Sequence, residues 1–355
     1  MIEDFEKHVI RDKDLKNFDI KYSTTGHRDK DVTNSLYGLN YTGVETKLLN
    51  DRDGWSMTFF TRPQLKLTDD NLILIRKLHP LLSQDENSIF RYVRMILDPR
   101  LGYNMSSQPN NNYKQLKSDL VDNNQAFIPI LTNTIKSISG WPDTILPTHT
   151  SKEGLKREQQ SIGDGALDIF NSFDLDVTFR NTAEEPHSIL FTTWTKYISE
   201  VFEGNLTPYL DMITENEIDY NTRIYKVIFG FGNTKIKKIA MTGASFPISV
   251  PTGKYFDESE GSPLSMQNKD INIRFKCDGA MYNEQIIMGW FNRTVCTFNP
   301  LMEKVLKGES GHGMKMIPHT LAFQMNHRAY PLINRSNNEM TWWINEEYLK
   351  RITDV

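Results

Sequence analysis

The chain has 355 residues, more than one ordinary domain needs, and its charges nearly balance, with 45 Asp and Glu interspersed among 41 Lys and Arg for a net −4. That balance supplies no basic field to draw nucleic acid from a distance, so non-specific DNA or RNA binding is disfavoured. No apolar run approaches the ~20 residues that cross a bilayer, the start is mixed and acidic, and two cysteines are too few for a disulfide framework; we expect no leader, no membrane partner, and reduced, buried thiols.

Residues 1–54 are charged and weakly periodic, with turn clusters such as STTGHRDKD, and read as an irregular N-terminal arm that orders against a partner. WSMTFFTRP follows as a strand that Pro63 ends. Thr68, Asp69 and Asp70 offer caps for a helix NLILIRKLH stopped near Pro80, and ENSIFRYVRMILDPR predicts a second, with Ile89, Phe90, Val93, Ile96 and Leu97 on one face. Gly102 to Leu116 reads as a loop, AFIPILTNTIKSI is ambiguous between strand and helix, and Trp141 to Gly165 is loop-like again.

The pattern then sharpens. FDLDVTFR alternates Phe173, Leu175, Val177 and Phe179 with Asp174, Asp176, Thr178 and Arg180, the signature of a half-buried antiparallel strand. The next segment predicts an amphipathic helix. Thr182 and Glu185 have capping-box spacing, Pro186 suits the first turn, an apolar stripe runs from Ile189 to Phe202, and Gly204 suits the C-terminal end. RIYKVIF, the FGFGN turn and TKIKKIAM read as a hairpin. MTGASFPISVP is β-prone but carries Gly243, Pro247 and Pro251, which places it at a sheet edge or joint, because proline cannot donate to a ladder. INIRFKC alternates once more, and after Phe298 the chain reads as irregular until a short aromatic helix, TWWINEEYLKRI. Two-faced strands around one good helix describe an antiparallel β-sandwich or barrel with a helix packed on it.

Candidate chemistry is sparse. His312, His319 and His327 lie seven and eight residues apart, which is not zinc-helix spacing. Asp164, Asp168, Asp174 and Asp176 could serve a hydrolase as acid/base or metal ligands; the simpler reading is that Asp174 and Asp176 mark the wet face of their strand. GESGHGMK lacks the phosphate-loop signature, and Lys235 to Lys238 reads as a solvated hairpin tip. We expect no cofactor, no metal and no enzyme. Trp342 and Trp343 leave a carbohydrate-binding module as a further alternative, against their reading as a seam under the last helix.

The order FDLDVTFR, PHSILFTTWTKYISEVF, RIYKVIF, KIKKIAMTGASFPISVP and KDINIRFKCDGAMYN resembles the tail-tube fold of tailed bacteriophages, shared by tube proteins, tube-initiating baseplate proteins and related secretion-system tubes. The resemblance covers about Ala126 to Thr297 and rests most on VTFR before the helix and on TGASFPISV. It implies a mainly β (α+β) fold, an antiparallel sandwich or barrel of tail-tube type with a packed helix, occupying residues 55–298 with an insertion at about 64–124, between the N-terminal arm and a C-terminal extension over 299–355. It further implies a structural protein of the virion tail, assembled in the host cytoplasm, whose copies form a ring, hexameric in that family, against neighbouring tail or baseplate proteins, with genomic DNA passing through unread. The chain is about twice as long as a plain tube subunit, which points to a tube initiator or other specialised ring; a neck or tail-terminator ring is the alternative. On this resemblance Thr242, Gly243, Phe246, Pro247, Ile248, Pro251 and Tyr255 are candidate subunit-interface residues. Asp174, Asp176, Arg180, Lys235 and Lys237 are candidates for a lumen or partner face, where acidic side chains would repel phosphates.

Overall fold

The structure, a computed structural model, describes residues 54–102, 116, 121–165, 171–230, 234–257, 269–311, 313–325 and 328–353; the expected N-terminal arm and most of the 102–116 loop lie outside them. Runs of alternating side chains form the strands. β1 (Ser56–Phe60), β2 (Ile135–Ser139), β5 (Ser172–Arg180), β6 (Ile224–Phe229), β7 (Ile236–Ser249) and β8 (Asp270–Tyr282) make a six-stranded sheet in the order β1-β6-β7-β8-β5-β2. β3 (Thr148–Thr150) and β4 (Ser161–Gly163) form a ribbon, while β9 (Met314–Ile317), β10 (Tyr330–Asn334) and β11 (Glu339–Asn345) form a third sheet, ordered β10-β11-β9. This is the mainly β, α+β arrangement that the alternation implies. Two compact units emerge, one of residues 59–224 and 241–281, the other of the described residues up to 58, 225–240 and 282 onward.

In the first unit β5 and β8 pair antiparallel, Leu175 opposite Phe275, Val177 opposite Ile273 and Phe179 opposite Ile271. All six are buried, and α4 (Pro186–Phe202) covers them with Leu190, Phe191, Trp194 and Tyr197. Phe191 meets Phe179 at 5.6 Å and Phe275 edge-on at 5.8 Å, and Phe60 lies 5.7 Å from Phe179. Each such buried ring contributes roughly 1.5–3 kcal/mol. The expected capping box is absent. Glu184 and Glu185 both take positive φ, Glu185 makes no side-chain cap bond, and Pro186 opens the helix because its missing N–H leaves no donor to satisfy. Gly204, at φ +78°, ends the helix as expected, but Phe202 points into solvent in its last turn, 92 % exposed.

The segment between β1 and β2 is braced by buried polar groups. α1 (Asp69–Leu74) stops short, and residues Arg76–Leu82 continue as a 3-10 turn that tolerates Pro80. The Arg62 guanidinium, 4 % exposed, donates to the carbonyls of Met95 (2.5 Å) and Ile96 (3.0 Å) near the end of α2 (Ile89–Leu97) and to those of Asn123 and Gln125 (3.1 Å each). It neutralises the negative end of that helix and anchors the following loop with one side chain. Just beyond α2, the fully buried Asp98 carboxylate accepts from the Leu67 and Arg100 amides (2.8 and 3.2 Å) and from the Tyr209 hydroxyl (2.9 Å). Burial pushes its pKa up to about 6 against the pull of those bonds. Tyr197 donates at 2.5 Å to Asp219, whose pKa is also raised by burial. AFIPILTNTIKSI proves to be both of its readings, α3 (Pro129–Thr134) followed directly by β2.

The proline-bearing stretch is not an edge strand of the sheet, although its Pro247 end runs past one neighbour. It continues β7 as one 14-residue strand flanked by β6 and β8. The Ser245 carbonyl accepts from the Thr222 amide at 2.8 Å, and alternation turns Pro247 toward the same side two residues later. β6 begins only at Ile224, so the chain end there is past the ladder and the proline removes no rung. Gly243 is required where β7 nears its neighbour, since a Cβ would stand 2.5 Å from the Asp278 carbonyl oxygen.

The second unit holds elements that the sequence reading missed or misassigned. α6 (Gln285–Phe298) buries Ile287, Met288, Phe291 and Val295, and Phe291 meets Tyr225 edge-on at 5.3 Å. Asn292 in α6, 1 % exposed, donates to the Ile333 carbonyl (2.7 Å) and accepts from its amide (2.8 Å), which locks the helix to β10. α7 (Pro300–Lys307) and α8 (His319–Gln324) follow. The expected aromatic helix is corrected: TWWIN is strand β11, with Met340, Trp342 and Ile344 alternately buried, and only Glu346–Thr353 is helical, as α9. Trp342 therefore belongs to the core, not to a sugar-binding surface. His319 sits edge-on to Trp55, Phe229 and Trp342 at about 6 Å, and burial lowers its pKa; His312 and His327 lie outside the described residues.

Two stability predictions follow from the braced segment. Arg62→Met keeps most of the volume but strands the carbonyls of Met95, Ile96, Asp122, Asn123 and Gln125, and urea denaturation should show a loss of about 3–5 kcal/mol; a change under about 1 kcal/mol would mean that water replaces the guanidinium. Asp98 binds its proton more tightly folded (about 6) than its ordinary 3.8, so its contribution to stability grows as pH falls from 7 to 4. His187 has the opposite sign: burial lowers it to about 4, and stability is lost as pH falls below 6.5. Subtracting the pH profile of Asp98→Asn from that of the unsubstituted protein isolates the first effect, expected at about 2 kcal/mol between pH 7 and 4.

Candidate assembly surfaces

With the apolar row of β5 and β8 turned inward, their other row faces solvent. Asp174 stands opposite Lys276, Asp176 opposite Arg274, Thr178 opposite Asn272 and Arg180 opposite Asp270. Lys276 donates to Asp174 at 3.0 Å, and Arg274 grips both oxygens of Asp176 at 2.8 and 3.2 Å. Lys136, beside β5 on β2, reaches Asp270 at 2.5 Å. Each candidate acid thus meets a base directly across the ladder, and the face carries balanced charge rather than an acidic field. The same bonds occupy the two acids a hydrolase would need. Asp164 lies in the exposed end of the β3–β4 ribbon, Asp168 falls outside the described residues, and among those described no group of three His, Cys, Asp or Glu is placed to hold a metal. Cys277 is buried and Cys296 half-buried, both as free thiols.

The remaining lumen or partner candidates, Lys235 and Lys237, belong to the second unit. Lys235 bridges to Glu339 and Lys237 is 7 % exposed, so KIKK is not a solvated tip throughout. Of the interface candidates, Thr242 is fully buried, its hydroxyl accepting from the Ile224 amide (3.0 Å) and bonded to Ser245 (2.7 Å). Phe246 packs edge-on against Tyr220 at 5.5 Å and Pro247 is buried, whereas Pro251 is half-buried and Ile248 is exposed. Tyr255 falls in the 3-10 turn Gly253–Phe256. Phe256, which sequence reasoning passed over, is 87 % exposed, and no periodicity in its loop marks it.

Larger apolar exposure lies elsewhere in the first unit. Leu74 in α1, Phe202 in α4, and Leu210 and Ile213 in α5 (Leu210–Glu215) are open to solvent, as are Leu146, Leu155 and Ile162 around the ribbon. Among the described residues no helix is long and apolar enough to cross a membrane.

The ladder yields a charge-swap prediction. Asp174→Lys with Asp176→Lys sets four cations side by side and should lower the melting temperature by a few degrees at low salt, with less effect at high salt. Adding Lys276→Asp and Arg274→Asp should restore it; no restoration would show that the pairs do not act across the strands.

Comparison with known proteins places this geometry. A family model described as "Putative phage tail tube protein" matches residues 9–354. Among solved structures, the chain is similar to the tube-terminating cap of the anti-feeding prophage (12 % identity, 44 % of this chain and 81 % of that one, TM-score 0.27). It is also similar to the sheath/tube terminator of the PVC extracellular contractile injection system (13 %, 44 % and 86 %, TM-score 0.25) and to its sheath-tube complex (15 %, 44 % and 82 %, TM-score 0.25). A search of curated proteins found no match. The family model spans nearly the whole chain, including the alternating strands, the packed helix and the long segments around them, and the chain belongs to that phage tail tube family.

Proposed function

We propose that the protein is a structural component of a phage tail whose copies close into a ring that forms part of the tail tube or initiates it. The match to the tail tube family over residues 9–354 carries this reading. One feature of the geometry supports it. β2 ends the order β8-β5-β2, and among the described residues no strand pairs with its outer edge; a closed ring removes such an edge as a barrel does. A head-to-tail interface repeated around an axis closes when its rotation permits.

In this reading residues 55–298 build the ring wall with 64–124 as its insertion, and the residues before and after meet neighbouring tail or baseplate proteins. The balanced row of Asp174, Asp176, Arg180, Arg274 and Lys276 suits a surface past which DNA slides, because paired charges neither grip phosphates nor repel them strongly. Its work is mechanical, with no reaction to catalyse and no cofactor to hold, in the virion tail. Interface contacts are assigned to the exposed members of the candidate set, Ile248 above all, while Thr242 and Pro247 shape the strand that presents it.

Light scattering across a concentration series, followed by negative-stain microscopy, tests the proposal. The expected result is a species several times the mass of the chain, six times if the ring is hexameric, seen as annuli or short stacks. A monomer at every concentration, including after mixing with tail proteins of the same particle, would overturn it.

A further inference from the structure

Residues 205–222 run from α4 to β6, carry α5, and bridge α4 and the segment after β1 as a strap. Little of its grip is apolar. Leu206 and Met212 are buried, whereas Leu210, Ile213 and Ile218 are exposed. The rest is hydrogen bonding. Asn71 donates to the Thr207 carbonyl at 3.0 Å, the Gln64 amide to the Asp219 carbonyl at 2.9 Å, and the Trp194 indole to the Tyr220 carbonyl at 3.0 Å.

Two buried tyrosine–carboxylate pairs hold the strap from opposite sides. Tyr209 on the strap donates to Asp98 beneath it at 2.9 Å, while Tyr197 of α4 donates to Asp219 on the strap at 2.5 Å and accepts from the Lys66 amide at 3.1 Å. Asp98 and Asp219 are 0 and 3 % exposed. A buried carboxylate is costly unless a cation accompanies it, and here the cations are already shared. Asp98 faces Arg94 and Arg100 besides the two tyrosines, and Asp219 faces Arg100, Tyr197 and Tyr220. Arg94, however, is bonded to Asp69 at 2.6 Å, and Arg100 to Asp211 at 2.8 Å, with its guanidinium 4.3 Å from the centre of the Tyr209 ring. Asp69, Asp98, Asp211 and Asp219 thus draw on the same two guanidiniums. Of the other charges nearby, Lys66 reaches the Thr207 hydroxyl at 3.4 Å and stands 5.9 Å over the Tyr209 ring, and Glu200 is met by Lys77 and Asn205.

We infer that residues 205–222 are a proton-controlled strap, closed over α4 while Asp98 and Asp219 hold protons and progressively released as both ionise. The sign follows from where each acid goes. Opening carries Asp219 off Tyr197 into water and lifts Tyr209 from Asp98, admitting water there. Burial raises both carboxyls, Asp98 from 3.8 to about 6, so the closed strap binds protons more tightly than the open one. Closure is therefore strongest below the ordinary carboxylate range and weakens as pH rises through 6. Asp211, held low by Arg100, stays ionised throughout and adds no slope, and the two tyrosines, raised by burial, keep their protons. The device is local, and it does not rest on the ring reading.

Hydrogen exchange read by mass spectrometry tests it on the full chain from pH 5 to 8, corrected for the intrinsic pH dependence of amide exchange, at a concentration where light scattering gives one mass throughout. On the Asp98 values alone, the opening constant of amides in 205–222 should rise by up to about tenfold across that range, while amides in α4 and β5 stay protected. Asp219→Asn should lower the slope, and Asp98→Asn with Asp219→Asn should abolish it. Tyr209→Phe keeps the ring against Arg100 and removes the donor, so the strap should open several-fold more at every pH with α4 unchanged. A profile in the unsubstituted chain that stays flat within about twofold, or strap amides that exchange in step with those of β5, overturns the inference without any variant. So does a slope that survives in the double variant.

Discussion

The register between β5 and β8 is the constraint on which the first unit depends. Side chains alternate across a sheet, so a slip of one residue would turn Leu175, Val177 and Phe179 to solvent and bring Asp174 and Asp176 into the core. The observed register satisfies both faces at once. Inside, six apolar side chains form the floor on which α4 lies; outside, Asp174 and Asp176 each find a base directly opposite. The apolar row supplies the energy. The exposed pairs contribute little stability, but a slipped register would lose them too, so they sharpen the choice.

Buried polar groups fix what apolar packing leaves loose. Short helices after β1 could settle on the core in many ways, since apolar contact has no direction. Arg62 and Asp98 remove that freedom by bonding particular carbonyls and amides. The two are not equivalent in cost. A guanidinium among carbonyls at a helix end is favourably placed, whereas a buried carboxylate retains a desolvation penalty, visible in the raised pKa of Asp98. Asn292 performs the same directional task in the second unit without charge.

What the two units leave uncovered is as informative as what they bury. The exposed side chains of Leu155, Ile162, Phe202 and Leu210, and the outer edge of β2, unpaired among the described residues, would each be a liability on a chain that worked alone. The proposed ring would cover them. The prolines fit this logic in a way their sequence position concealed: Pro247 removes no rung because its strand has outrun its neighbour.

Local periodicity locates β5, α4, β6, β8 and the first half of β7 in the sequence, because a strand buried on one face and a helix buried on one stripe print their geometry directly into the order of apolar residues. It also placed Asp174 and Asp176 on the wet face. It failed where long-range partners decide. TWWIN reads equally as helix or strand until β10 and β9 pair with it, α6 was hidden beside the conspicuous β8, and a capping pattern at Glu185 gave way to two positive-φ residues. The basic partners of the two acids lie about a hundred residues away, Lys276 and Arg274, and no local rule joins them. Membership of a strand is thus a property of the segment, but charge balance, register and the exposure of Phe202 or Leu155 belong to contacts that only the folded chain creates.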